Sequence, residues 1–247
     1  MDRADISAWE AAALVGLSFC ALMTAGPWMA GHGLGGIVLG ELLLVVAPTV
    51  GFIAARRISA TALGLDRAPP GAIVGGALFG AAVFYLLAVG LHAWIERVWP
   101  TPPEVRRALE RMVVPASGAR PLLIDLAAFA LVPAAAEELL FRGVLFGALR
   151  PRIGVVWTVL ATAIAFGLYH GSVYRFLPAA FAGLLLGGVR AASGSLWPAL
   201  AFHFANNAAV VLSLHAGWST PPARALYLVV AALAAAAGLT LVVRSRA

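Results

Sequence analysis

Apolar residues in this chain fall into long runs of about twenty, separated by short polar breaks. A helix needs a run of about that length to cross a hydrocarbon layer roughly 30 Å thick. Eight such spans are predicted, at residues 9–29, 34–55, 71–93, 121–149, 153–170, 175–192, 195–214 and 224–243. The first follows a polar decapeptide with Asp2, Arg3, Asp5 and Glu10, and reads as a retained helix rather than a cleaved signal. The sixth is interrupted by Pro178, Gly183, Gly187 and Gly188, where small residues can let helices pack closely. Between the third and fourth spans, residues 96–120 are polar and Arg-rich. Within them Leu109, Met112 and Val113 recur at helical spacing, which predicts a short interfacial amphipathic helix over 104–114. Its plainer role is a linker on the membrane; its sharper role is a gate beside the fourth span. No internal repeat or second domain is visible, so residues 1–247 read as a single all-α integral membrane domain with about eight transmembrane helices.

Composition agrees with that pattern. The chain of 247 residues is 62% hydrophobic and 11% charged, against about 25% charged residues in ordinary soluble domains. All 17 basic residues are Arg, and the net charge of +6 comes from loops rather than from a basic cluster interleaved with aromatics, so nucleic acid is not an expected partner. The single Cys20 excludes an intramolecular disulfide and a cysteine metal cluster. The distribution of Arg leans toward cytoplasmic termini. The expected location is the inner (plasma) membrane, as a multi-pass protein.

Three polar islands stand inside these spans: Glu137-Glu138-x-x-x-Arg142, Phe166-x-x-x-His170 and His203-x-x-x-Asn207. Ionisable groups at bilayer depth are costly and mark functional sites. Glu138 and Arg142 are four apart on one helix face, acid first, and form a self-neutralising pair. Glu137 points about 100° away with no cation nearby in sequence, which makes it the candidate general base. His203 and Asn207 share a face and can aim an imidazole and a carboxamide at one oxyanion. Singly, each island also reads as a brace between helices; their joint occurrence points to hydrolysis. Counting rises along the helices, Glu137, Asn207 and His170 lie roughly 20, 18 and 25 Å from one membrane side, so the islands can meet in one layer beyond the midplane. Of the remaining polar residues, Glu41 reads as a helix brace within the second span, or else as a group lining the cavity. Asp125, His32, His92 and His215 read as interfacial, and Arg175 and Arg190 as headgroup anchors of the sixth span.

With all three motifs intact and in order, the chain resembles the CPBP intramembrane proteases, which include the type II CAAX prenyl endopeptidases and bacteriocin-processing or immunity proteins. The resemblance covers residues 121–214. It implies an eight-helix fold with a catalytic cavity among helices four to seven. It also implies that Glu137 and His170 activate water, that His203 and Asn207 stabilise the oxyanion, and that Glu138, Arg142 and Phe166 support the site. Members have been called metalloproteases; if so here, Glu137, His170 and His203 would hold Zn²⁺. The absence of a His-Glu-x-x-His string favours a metal-free glutamate mechanism instead. The implied partner is a membrane-tethered or lipidated protein or peptide substrate within the bilayer. The outward depth of the site favours an exported one. A proton-relay transporter and a non-catalytic scaffold or immunity protein are the alternatives.

Overall fold

The computed structural model describes residues 6–107, 121–218 and 224–245. The described residues contain helices and no strand. In chain order the long ones are α1 (Ala8–Ala30), α2 (Gly33–Ala55), α3 (Pro70–Val98), α4 (residues 122–153), α5 (residues 155–169), α6 (Val173–Ser193), α7 (Leu196–His215) and α8 (Ala225–Arg244), with a single short turn of helix at Ala60–Leu63 between α2 and α3. Each predicted span therefore coincides with a helix. The tally of crossing helices does differ: five of them, α1, α2, α3, α6 and α8, are long and apolar enough to cross a membrane. The shortfall follows from chemistry. α4 carries Asp125, Glu137, Glu138, Arg142, Arg150 and Arg152, α7 carries His203, Asn206 and Asn207, and α5 is short. The same polar residues that build a site dilute the apolar character of its helices.

The boundary between α4 and α5 is a single residue. Gly154 takes φ 73° and ψ 171°, a conformation open to glycine, and this breaks an otherwise continuous helical path from Leu122 to Tyr169. Elsewhere the helices are loosened without breaking. Among the described residues four π-helical turns occur, at Leu42–Val46 in α2, Ala88–His92 in α3, and Ala127–Leu131 and Leu139–Leu145 in α4. Two of these begin directly after Glu41 and Glu138. Such turns are frequent at functional sites. Most of the predicted interfacial helix over 104–114 lies outside the described residues; residues 103–107 are helical.

The outer surface suits lipid. Trp9 and Trp28, near the two ends of α1, are both exposed and lie about 28 Å apart along its axis. Trp94, Trp99 and Trp218 are likewise exposed near helix ends, as expected of aromatic belts at the two interfaces. Leu17, Leu123, Trp157 and Leu233 point outward between such ends.

Inside, two apolar clusters form. One joins α1, α2, α4 and α5 through Leu14, Val45, Leu140, Phe141, Val144 and Tyr169. The other joins α3, α6, α7 and α8 through Phe79, Val83, Leu186, Val189, Phe202 and Val242. α3 lies along both α7 and α8. Its approach to α7 needs glycine: a Cβ on Gly76 or Gly80 would strike the carbonyl of Pro198 or Phe202. Gly183 of α6 likewise presses on Ala163 of α5, where a Cβ would come within 3.1 Å of the Ala163 Cα. Of the glycines of the sixth span, Gly183 and Gly187 thus serve close packing, while Gly188 faces open space. Where the two clusters face each other, Phe141 and Phe202 carry with them their neighbours Arg142 and His203.

Candidate active site

Glu138 and Arg142 are fully buried, and Arg142 Nη1 donates to Glu138 Oε1 at 2.7 Å. The expected pair therefore forms within α4. Its reach is wider than helix spacing suggests. Arg142 Nη2 donates to the Gly183 carbonyl at 3.1 Å, tying α4 to α6. His203 Nδ1–H donates to Glu138 Oε1 at 2.9 Å, tying α4 to α7. One carboxylate oxygen thus accepts from a guanidinium and an imidazole. Charge-assisted bonds of this kind are the strong ones, and in a buried site they fix orientation.

With Nδ1 engaged, the free nitrogen of His203 is Nε2, which lies 3.8 Å from Glu137 Oε2. Glu137 retains 14% of its side-chain accessibility, whereas Glu138 and Arg142 retain none. Glu137 Oε2 has no hydrogen-bond partner among the described residues. The two adjacent glutamates accordingly differ as their helical positions imply: Glu138 is committed to two partners, and Glu137 is available.

Phe166 is the hub of the second island. Its ring stands 4.8 Å from that of His170 and 5.7 Å from that of His203, both nearly edge-on. The Arg142 guanidinium lies 4.5 Å from the same ring, and Phe141 packs edge-on at 5.2 Å. One aromatic side chain therefore holds both imidazoles and the buried cation in register. His170, the residue after α5, donates from Nδ1–H to the Phe166 carbonyl at 2.8 Å. That bond leaves its Nε2 as an acceptor. Asn207 lies one turn after His203 on α7, half-buried, and accepts from Asn206 Nδ2 at 3.4 Å. The structure thus brings Glu137, Glu138, Arg142, Phe166, His170 and His203 together, with Asn207 alongside. A cavity of about 650 Å³ borders the α5–α6 turn next to His170 and adds Phe19 of α1 and Ile95 and Trp99, at the end of α3, to its walls.

Several peripheral expectations need correction. Arg190 is not a headgroup anchor: it is buried, donates from Nε to the Arg142 carbonyl at 3.3 Å, and lies over the Phe146 ring. Arg175, near the start of α6, is exposed. Asp125 is fully buried and accepts from His215 Nε2–H at 2.9 Å, clamping the start of α4 to the end of α7. No local pattern marks these roles, because each depends on which helix lies opposite.

The metal alternative can be tested on the donors. Among the described residues, no three His, Cys, Asp or Glu side chains converge as a metal-binding group. Glu137, His170 and His203 therefore do not present a three-ligand zinc site, and no step below passes through a metal.

Residues 119–209 match the family model described as type II CAAX prenyl endopeptidase Rce1-like. That segment includes every residue of the three islands. No curated protein and no solved structure matches the chain. The matched segment supports membership of the CPBP/CAAX protease group, and with it a multi-pass membrane protein with protease-type hydrolytic activity.

Proposed function

We propose that this CAAX-type intramembrane protease is a metal-free glutamate endopeptidase. Its substrate is a membrane-tethered or lipidated protein in the plasma membrane, cut near its C terminus or its membrane-proximal part. The observation that carries the reading is the contrast between the two neighbouring carboxylates: Glu138 is fully buried and its Oε1 accepts from both Arg142 and His203, while Glu137 keeps 14% of its side-chain accessibility and lies beside His203 Nε2.

In this mechanism a water sits between Glu137 and the open Nε2 of His170. Glu137 takes one proton as the water oxygen bonds to the scissile carbonyl carbon. Asn207 Nδ2 meets the developing oxyanion. His203, its ring aimed by the bond from Nδ1–H to Glu138, stands beside Asn207 as the second group of the oxyanion site. Glu137 then returns the proton to the amide nitrogen as the carbon–nitrogen bond breaks. A positioned base typically supplies about 10²–10⁴ in rate, and one preorganised oxyanion donor about 3 kcal/mol.

The test is mapping of native C termini of membrane and exported proteins in cells lacking the chain, in complemented cells, and in cells given Glu137→Gln. A set of termini trimmed with the intact chain alone is the expected result and also reads out specificity. Restoration of the same termini by Glu137→Gln removes Glu137 as the base. A complete absence of chain-dependent termini removes the protease reading.

A further inference from the structure

Glu41 has no part in the mechanism above, yet it is the other carboxylate closest to it. On α2, Glu41, Val45 and Thr49 are four apart, and Val45 and Thr49 are fully buried, so Glu41 shares the interior face. Val45 packs in the same cluster as Leu140 and Phe141 of α4. One turn back from Val45 is Glu41, and one turn back from Phe141 is Glu137. The helices also match in register: residues 33–46 of α2 pack on 132–138 of α4, and 47–55 on 139–145. This parallel alignment puts the two carboxylates at the same level.

A third polar group closes the set. Tyr169, the last residue of α5, stacks edge-on against Phe141 at 5.1 Å and is 5% exposed. Glu41 Oε1, Glu137 Oε2 and the Tyr169 hydroxyl are all buried without a hydrogen-bond partner among the described residues. They lie within electrostatic reach of one another. Buried polar atoms are nearly always satisfied, and a water shared among these three atoms, which come from three helices, would satisfy them together. The π-helical turn that starts right after Glu41 fits a position shaped for more than packing.

We propose that Glu41 is a positioning residue for Glu137. Its carboxyl group and the Tyr169 hydroxyl orient Glu137 Oε2, which lies 3.8 Å from His203 Nε2, so that the other oxygen faces the substrate. Glu138 holds His203; Glu41 and Tyr169 hold Glu137. The kinetic consequence rests on the peptidase reading, whereas the juxtaposition does not.

The kinetic arm compares Glu41→Leu, Glu41→Gln and Tyr169→Phe in proteoliposomes, using an internally quenched peptide with an N-terminal acyl chain. Glu41→Leu is expected to lower kcat about tenfold or more with KM little changed, while thermal stability in detergent rises, because leucine suits that buried place better than a carboxylate. Glu41→Gln restores most of the rate, since its amide still donates to Glu137, and Tyr169→Phe gives a smaller loss of the same kind. An unchanged kcat in Glu41→Leu overturns the proposal. So does a joint loss of stability and rate in both Glu41 variants, which marks a structural brace. The second arm needs no activity: the infrared carboxyl band that Glu41→Gln removes must shift in a Glu137→Gln background. An identical band in both backgrounds overturns the juxtaposition itself. If the unmodified protein cleaves nothing, the peptidase reading falls and the infrared result still decides this one.

Discussion

Glu138 accepts from both Arg142 and His203, and this shared acceptor makes a specific prediction. Arg142→Met leaves a buried carboxylate without its cation and should cost about 3–5 kcal/mol, read as a lower unfolding midpoint in detergent. The double variant Glu138→Leu with Arg142→Met removes both charges and should recover much of that stability. Activity should not return with it, because His203 Nδ1 has then lost the partner that aims its ring. Recovery of both together would reduce Glu138 to a neutraliser of Arg142. Phe166 makes a second case. Since its ring touches His170, His203 and Arg142, Phe166→Leu keeps apolar volume but frees both imidazoles. Its kcat is expected to fall far more than its stability, measured on one preparation by cleavage rate and thermal unfolding.

At the level of helices, what matters is how closely α3 and α7 approach. Gly80 abuts the backbone of Phe202, the residue next to His203, so any side chain there displaces the strip of α7 that bears the site. Gly80→Ala should destabilise by about 1–3 kcal/mol through overpacking. It should also depress activity beyond that loss, because displacement of a catalytic group by about 1 Å can cost about a hundredfold. Helical content by circular dichroism should stay near that of the unmodified protein. Gly16, in α1, has open space around it, and Gly16→Ala serves as the neutral comparison. Equal effects of the two substitutions would show that the α3–α7 contact does not position His203.

For the molecule as a whole, the site is built from helices of two apolar clusters, with Phe141 and Phe202, the neighbours of Arg142 and His203, in one cluster each. If hydrolysis runs through Glu137 without a metal, peptide cleavage in proteoliposomes should survive prolonged treatment with EDTA and 1,10-phenanthroline, within about twofold. Loss of activity that returns on adding Zn²⁺ would replace the glutamate mechanism with a metal one.

Much of this was legible from residue order. The eight apolar runs locate the eight helices, because a segment rich in apolar residues buries its backbone polar groups by forming a helix. The Glu138–Arg142 pair and the separation of Glu137 from it follow from 3.6 residues per turn. The bonds of His203 to Glu138, of Arg142 to Gly183 and of Asp125 to His215 join residues 65, 41 and 90 positions apart, and periodicity carries no information about such pairings. Arg190 shows the same limit. A basic residue near a span's end reads as an anchor, until packing of α6 on α4 turns it inward to the Arg142 carbonyl. Glu41 is the strongest instance: isolated in its span, it has no neighbour in sequence to give it a role. Its place beside Glu137 comes from the parallel packing of α2 and α4, since a long-range contact depends on how whole helices dock rather than on any local run of residues.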